Sequence, residues 1–217
     1  MSEPEHSKQK VILISGLVIL WLAGSLFGLW WFQQKSIRPF ISQTDTPESR
    51  DIEAVSQGLS RVLQRSDINV RTPDKVTLIH LWNPDCLCNN VSARHTQGVL
   101  NAFDPTILKF IMLAPTHTSD EDLMEAQRLN PRAQIIRLME SDKLPLTASP
   151  GLAIFNPDGQ LAYFGAYGFG ALCSLSDDEL FTNMISTMLA GKPYGPFMNV
   201  AGSGCFCEWP HPKVGDE

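Results

Sequence analysis

The sequence predicts a mixed α/β fold, a sheet flanked by helices and preceded by one transmembrane helix. Three observations lead there. Residues 11–32 form one unbroken apolar run, short β-rich runs alternate with helical periodicity from residue 76 onward, and an Asn-Pro-Asp-Gly turn then joins two apolar runs. Strand, helix, strand, helix, strand is the order of a parallel βαβ half, and a hairpin followed by a helix is a ββα half. Together they make a mixed sheet covered by helices. At 217 residues the chain has room for one folded core with appendages. Its 43% hydrophobic and 18% charged residues exclude disordered and low-complexity classes. A formal net charge of −6, with no Lys/Arg run, excludes a nucleic-acid partner.

Residues 1–10 read as a cytoplasmic N-terminal tail and 11–32 as the transmembrane helix. The run from Val11 to Phe32 holds no ionisable residue, and as a helix it reaches about 33 Å, enough for a hydrocarbon core of about 30 Å. Trp30 and Trp31 stand at its far end, where amphipathic rings favour the interface. The competing reading is a cleaved signal peptide, with Lys8 and Lys10 before the apolar run and Ala23-Gly24-Ser25 as the cleavage site. It leaves residues 26–32, nearly all apolar, for a soluble domain to hide. Lys8 and Lys10 are answered by Lys35 and Arg38, so charge does not decide orientation. A short tail, one anchor and a folded domain read most simply as an exported domain.

Residues 33–47 read as a linker and 48–191 as the folded domain. Thr46-Pro47-Glu48 signals a helix start, and Ile52, Val55, Leu59, Val62 and Leu63 continue it at helical spacing. The remaining elements are a strand over 76–82, a helix over 88–103, a strand over 107–113, a helix over 119–129 and a strand over 134–138. Asn156-Pro157-Asp158-Gly159 turns the hairpin between 152–155 and 160–166. A last helix begins at Ser176, with Glu179 completing a capping box, and Gly191 ends it. Residues 192–217 are a Gly- and Pro-rich, cysteine-containing tail.

Chemistry concentrates in the cysteines. Four of the five form two Cys-X-Cys pairs, Cys86-Leu87-Cys88 and Cys205-Phe206-Cys207. The first falls where a central strand gives way to a helix, and a helix N-terminus stabilises a thiolate. A disulfide closed within Cys86-Leu87-Cys88 would span a tight ring and is expected to be strained and easily reduced. Asp85, next to Cys86, opposes the thiolate. The second pair lies between glycines and Pro210 in what reads as a mobile loop. Three readings of the two pairs stay open: a disulfide relay, four thiolates around zinc, copper or an iron–sulfur cluster with His95 as a further ligand, and fixed structural disulfides. Cys173, left over, reads as a buried small hydrophobe, and His80 as a core residue of its strand.

Leu81-Trp82-Asn83-Pro84-Asp85-Cys86, Ala148-Ser149-Pro150-Gly151 ahead of the hairpin, and the hairpin 152–163 resemble the thioredoxin-like superfamily, in particular its membrane-anchored extracytoplasmic members. The resemblance covers residues 74–191. It implies a thioredoxin-like fold with Pro150 as the active-site cis-proline, whose preceding backbone docks an extended polypeptide. One departure stands out: the family's Cys-x-x-Cys is Cys-X-Cys here, and Asn89 holds the place of the second cysteine.

The resulting expectation is a single-pass protein of a bacterial inner membrane, its C-terminal domain periplasmic, exchanging disulfides with a protein thiol or disulfide substrate. Cys86 is the expected nucleophile, Cys88 the resolving thiol, Pro150 the docking element and Trp82 a neighbour of the site. Cys205 and Cys207 form an auxiliary redox pair, and no cofactor is required. The alternatives are a metal-binding protein similar to thioredoxin-fold copper chaperones, with Cys86, Cys88, Cys205, Cys207 and His95 as ligands, and a redox-inactive interaction module.

Overall fold

The computed structural model describes residues 4–42, 45–167, 178–199 and 203–210. Ser176 and Cys173, and the readings placed on them, lie outside the described residues. The chain divides into two units, Met1–Ile37 and Arg38–Glu217.

The first unit is one helix, α1 (Pro4–Ser36). Its stretch Gln9–Trp31, with a mean hydropathy of 2.3, is long and apolar enough to cross a membrane, and none of it is buried against protein. With apolar side chains all round, it has no polar face to turn to water. Such a helix serves equally as a membrane span or a signal sequence.

A short strand, β1 (Ile37–Pro39), follows, and the second unit begins within it at Arg38. Residues 33–47 are more than the spacer expected of them, because Phe40 and Ile41 are buried in the core. The helix start differs too. Pro47–Arg50 forms a 3₁₀ turn, and α2 (Ile52–Arg65) begins anew under Asp51, whose carboxylate accepts from the Glu53 amide at 2.9 Å. Asp51 satisfies an amide that would otherwise lack a partner, which is why the α-helix starts there. Val55, Leu59, Val62 and Leu63 then form its buried stripe.

Next come β2 (Val76–Leu81), α3 (Cys88–Ala102), β3 (Leu108–Ala114), α4 (Asp120–Leu129) and β4 (Ala133–Arg137). A short β5 (Ala148–Ser149) precedes the hairpin of β6 (Gly151–Phe155) and β7 (Leu161–Gly165). The Asn156 amide donates to Gln160 O at 2.9 Å, and Gly159, at φ +78°, supplies the left-handed residue of the turn. After α5 (Asp178–Leu189) come β8 (Phe197–Met198), β9 (Ser203–Cys205) and β10 (Cys207–Glu208).

The main sheet has the order β4-β3-β2-β6-β7-β8. Strands β2, β3 and β4 are parallel, β6 and β7 antiparallel, and β8 joins β7 in parallel with Tyr163 opposite Phe197. That last strand comes from the segment read as a tail. Strict alternation divides the core between the two faces. Ile79, Leu81, Ile111 and Leu113 face α2, Phe40, Phe206 and Trp209. On the other side Val76, Leu78, Phe110 and Met112 pack with Val99 of α3 and Phe181 and Ile185 of α5. His80 is a core residue, as its strand position predicts. Its Nδ1 lies 2.8 Å from the Tyr167 hydroxyl, and burial pushes its pKa down to about 4.

Candidate functional site

The site is built where β2 ends. Asn83 folds the chain back after the strand: its side-chain oxygen accepts from the Asp85 amide at 3.1 Å and its carbonyl from the Cys86 amide at 3.0 Å. The Asn89 side chain donates to that same carbonyl. Asn89 thus uses the position of the second cysteine in the resembled pattern to pin the turn that carries Cys86. Sequence reasoning passes over this pair, although Asn83-Pro84-Asp85 is a turn signature.

Leu87 is the N-cap of α3 and offers no capping oxygen, and the first turn holds no acidic residue. The positive end of the helix dipole therefore lies beside the sulfurs, while the Asn89 and Asn90 amides are used within the turn, donating to Cys86 O at 3.1 Å and Leu87 O at 3.2 Å. Beside Cys86, the exposed Asp85 carboxylate lies 3.3 Å from His117 Nε2. Nothing in the sequence links these two residues.

Each cysteine of the first pair is bonded to one of the second: Cys86 to Cys207 and Cys88 to Cys205, with Cα atoms 5.8 and 5.7 Å apart. Of the linkages the sequence leaves open, those joining the tail to the domain are formed and one between Cys86 and Cys88 is not. The tail presents two partners at ordinary disulfide separation, so neither has to close a ring across Leu87. The mobile loop needs correcting as well. Phe206 and Trp209 are buried in the core, the Phe206 ring packs edge-on to Phe40 at 5.3 Å, and the Trp209 amide donates to Thr147 O at 2.9 Å. These two aromatics outweigh the flanking glycines and are the signal in the sequence that points to an anchored segment.

The tail also pairs with the segment that precedes Pro150. Strand β10 pairs antiparallel with β5, placing Cys207 opposite Ser149 and Glu208 opposite Ala148. Pro150 follows in cis, as expected. Cys86 Sγ lies 3.6 Å from the Ser149 carbonyl, within reach of a thiol S–H in the reduced protein. Ser149 Oγ and Asn89 Oδ1 are buried with no hydrogen-bond partner among the described residues. Trp82 is half-buried against the α3 face of the sheet, its amide donating to Leu113 O at 2.9 Å.

Burial separates the two pairs. Cys86 and Cys88 are 3% and 6% exposed, whereas Cys205 and Cys207 are half-buried. Among possible metal ligands, the sulfurs of Cys86, Cys88 and Cys207 lie within 4.8 Å of one another. Neither His95, buried in α3, nor Cys205 belongs to that group, which corrects the expected ligand set.

Residues 56–209 match the family described as Domain of unknown function (DUF6436). This chain belongs to the DUF6436 family. No curated protein matches it. Among solved structures, a hypothetical protein from Sinorhizobium meliloti 1021 aligns with the DUF6436 chain at a TM-score of 0.52 and 10% identity, covering 64% of this chain and 81% of the other. An uncharacterized conserved protein from Geobacillus kaustophilus aligns at 0.49 and 14%, covering 67% and 82%. A putative thioredoxin from Neisseria meningitidis aligns at 0.43 and 14%, covering 56% and 79%. At 10% identity the likeness to the Sinorhizobium meliloti structure is one of fold. The DUF6436 domain has the thioredoxin-like arrangement: a mixed sheet between helices, a cysteine at a helix tip, and a cis-proline before the hairpin.

Proposed function

We propose that this protein is a membrane-anchored thiol–disulfide exchange protein acting on protein thiols outside the cytoplasm, with α1 crossing a bacterial inner membrane and the domain on the periplasmic side. The observation that carries the reading is the Cys86–Cys207 disulfide at the N-terminus of α3, beside Ser149 and Pro150. Cys86 is the nucleophile of the reduced protein, favoured as a thiolate by the dipole of α3. Cys88 resolves, and Cys205 with Cys207 forms the auxiliary pair that takes up or returns the two electrons of each disulfide. Pro150 borders the site and Trp82 braces the end of β2. Disulfides of this kind persist in an oxidising compartment, which agrees with an exported domain.

The test is disulfide mapping by mass spectrometry across glutathione redox buffers. The Cys86–Cys207 and Cys88–Cys205 linkages are expected to open and reform over a defined range of potentials, and exchange with a protein dithiol to be lost in Cys86→Ala. Linkages indifferent to the buffer defeat the reading.

One observation favours a second reading, a thiolate centre for copper, zinc or an iron–sulfur cluster: the mutual approach of Cys86, Cys88 and Cys207. Stoichiometric metal after purification under reducing conditions, lost in Cys86→Ser, would establish it. Metal-free reduced protein would remove it.

A further inference from the structure

We propose that thiols from outside enter at Cys207, so that β10 is a resident substrate strand and Cys86 is the leaving group of the first exchange step. This inference rests on the exchange reading above and specifies which sulfur meets the partner.

Three observations carry it. First, the place for an added substrate strand is taken: β5 already pairs with β10, and Cys207 stands opposite Ser149 where a substrate cysteine would stand. Second, that strand is held by more than its disulfide. Phe206 and Trp209 are buried on either side of it, and the Trp209 amide is bonded to Thr147 O. Third, access is one-sided. A small cleft has Phe40, Thr147, Ala148, Phe206, Cys207 and Glu208 among its lining residues, and Cys86 is not one of them. A nucleophile displacing a sulfur approaches along the S–S axis from the side away from the leaving atom. Reaching Cys86 in this way means coming through the domain side, where that residue is buried. Reaching Cys207 means coming through the tail side, where it is part-exposed.

In the first step a partner thiolate bonds to Cys207 Sγ, the Cys86–Cys207 bond breaks, and its electron pair leaves on Cys86 at the tip of α3. The second thiol of a partner dithiol, as thiolate, then attacks the partner sulfur of the mixed disulfide, and the electron pair leaves on Cys207. The partner is oxidised to a disulfide, Cys86 and Cys207 are reduced to thiols, and they take up the two protons that the partner gives up. Run in reverse, Cys86 is the nucleophile. Leu87, between Cys86 and Cys88 in sequence, is 83% exposed and offers an apolar contact to a protein partner whose cysteine sits beside an apolar side chain.

The experiment uses the oxidised full chain in detergent, with glutathione as the probe and an acid quench at the earliest times, followed by peptide mass spectrometry. It is run on the wild type and on Cys88→Ser/Cys205→Ser, which retains the one disulfide. The expected adduct is glutathione on Cys207 with Cys86 free, exceeding the reverse by about tenfold or more. Should the double variant fail to fold, a first adduct on Cys207 of the wild type supports the inference equally. Glutathione found first on Cys86, Cys88 or Cys205 overturns the inference and leaves the exchange reading standing. Disulfides inert to glutathione overturn the exchange reading and this inference with it.

Discussion

The two Cys-X-Cys pairs of this chain have the same chemistry in their side chains and different surroundings. Cys88 begins a 15-residue helix and Cys86 lies just ahead of its N-cap, both shielded to a few per cent exposure. Cys205 and Cys207 lie on short strands of the tail, half-buried, with Cys207 lining a cleft. The first pair has the helix N-terminus beside it, whose dipole favours a sulfur as leaving group or nucleophile. The second has the access. A disulfide joining one of each brings stabilisation and exposure to the same bond, which neither pair achieves by itself. Reactivity here is thus shared across long stretches of sequence, 121 residues for one bond and 117 for the other.

The largest test of this contrast is to loosen the tail. Trp209→Ala empties a buried aromatic site and is expected to cost about 3–5 kcal/mol of domain stability in urea unfolding. In the reduced protein it should also raise the alkylation rate of Cys86 toward that of Cys207. A variant that loses stability while the two rates keep their ratio would break the link between the strap and the shielding.

A smaller effect is expected on the opposite face of the sheet, where His80 is held neutral. Its folded pKa, about 4, lies below its ordinary 6.5, so the unfolded chain takes up a proton that the fold refuses. Its contribution is complete above pH 6.5 and falls away as the pH drops toward 4, by about 3 kcal/mol in all. Urea unfolding between pH 7 and 4 should show that slope, and His80→Gln should flatten it while leaving the order of cysteine alkylation unchanged. A change in that order would mean that the two faces are not independent.

Smallest in stability is Leu87→Ala, expected within about 0.5 kcal/mol of wild type because the side chain is exposed. Its use is to sharpen the partner question. Exchange with glutathione should be unchanged, and exchange with a protein dithiol should slow. Equal rates with both would remove Leu87 from the contact.

Much of this arrangement is legible in the order of residues. Runs of apolar residues place β2, β3 and the hairpin within a residue or two, because a strand buried on both faces leaves a continuous apolar run between turn signals. Cys86 at a strand-to-helix junction and Pro150 before the hairpin can be read from local order alone. What local order misses is pairing at a distance. Glycines around Cys205 suggest motion, yet Phe206 and Trp209 bind the segment to a core assembled from elsewhere. Asn89 reads only as a missing cysteine until its bond to Asn83 shows what it holds. His117 reaches Asp85 across 32 residues, and no periodicity records such a contact.

By itself, then, the sequence determined the apolar N-terminal helix, the α/β order and the two sulfur pairs, since each follows from composition and spacing along the chain. Tertiary structure alone decided which sulfur meets which, and that β10 takes the edge of β5. The reason is physical: a disulfide or a strand pairing depends on distances that only the packed core sets.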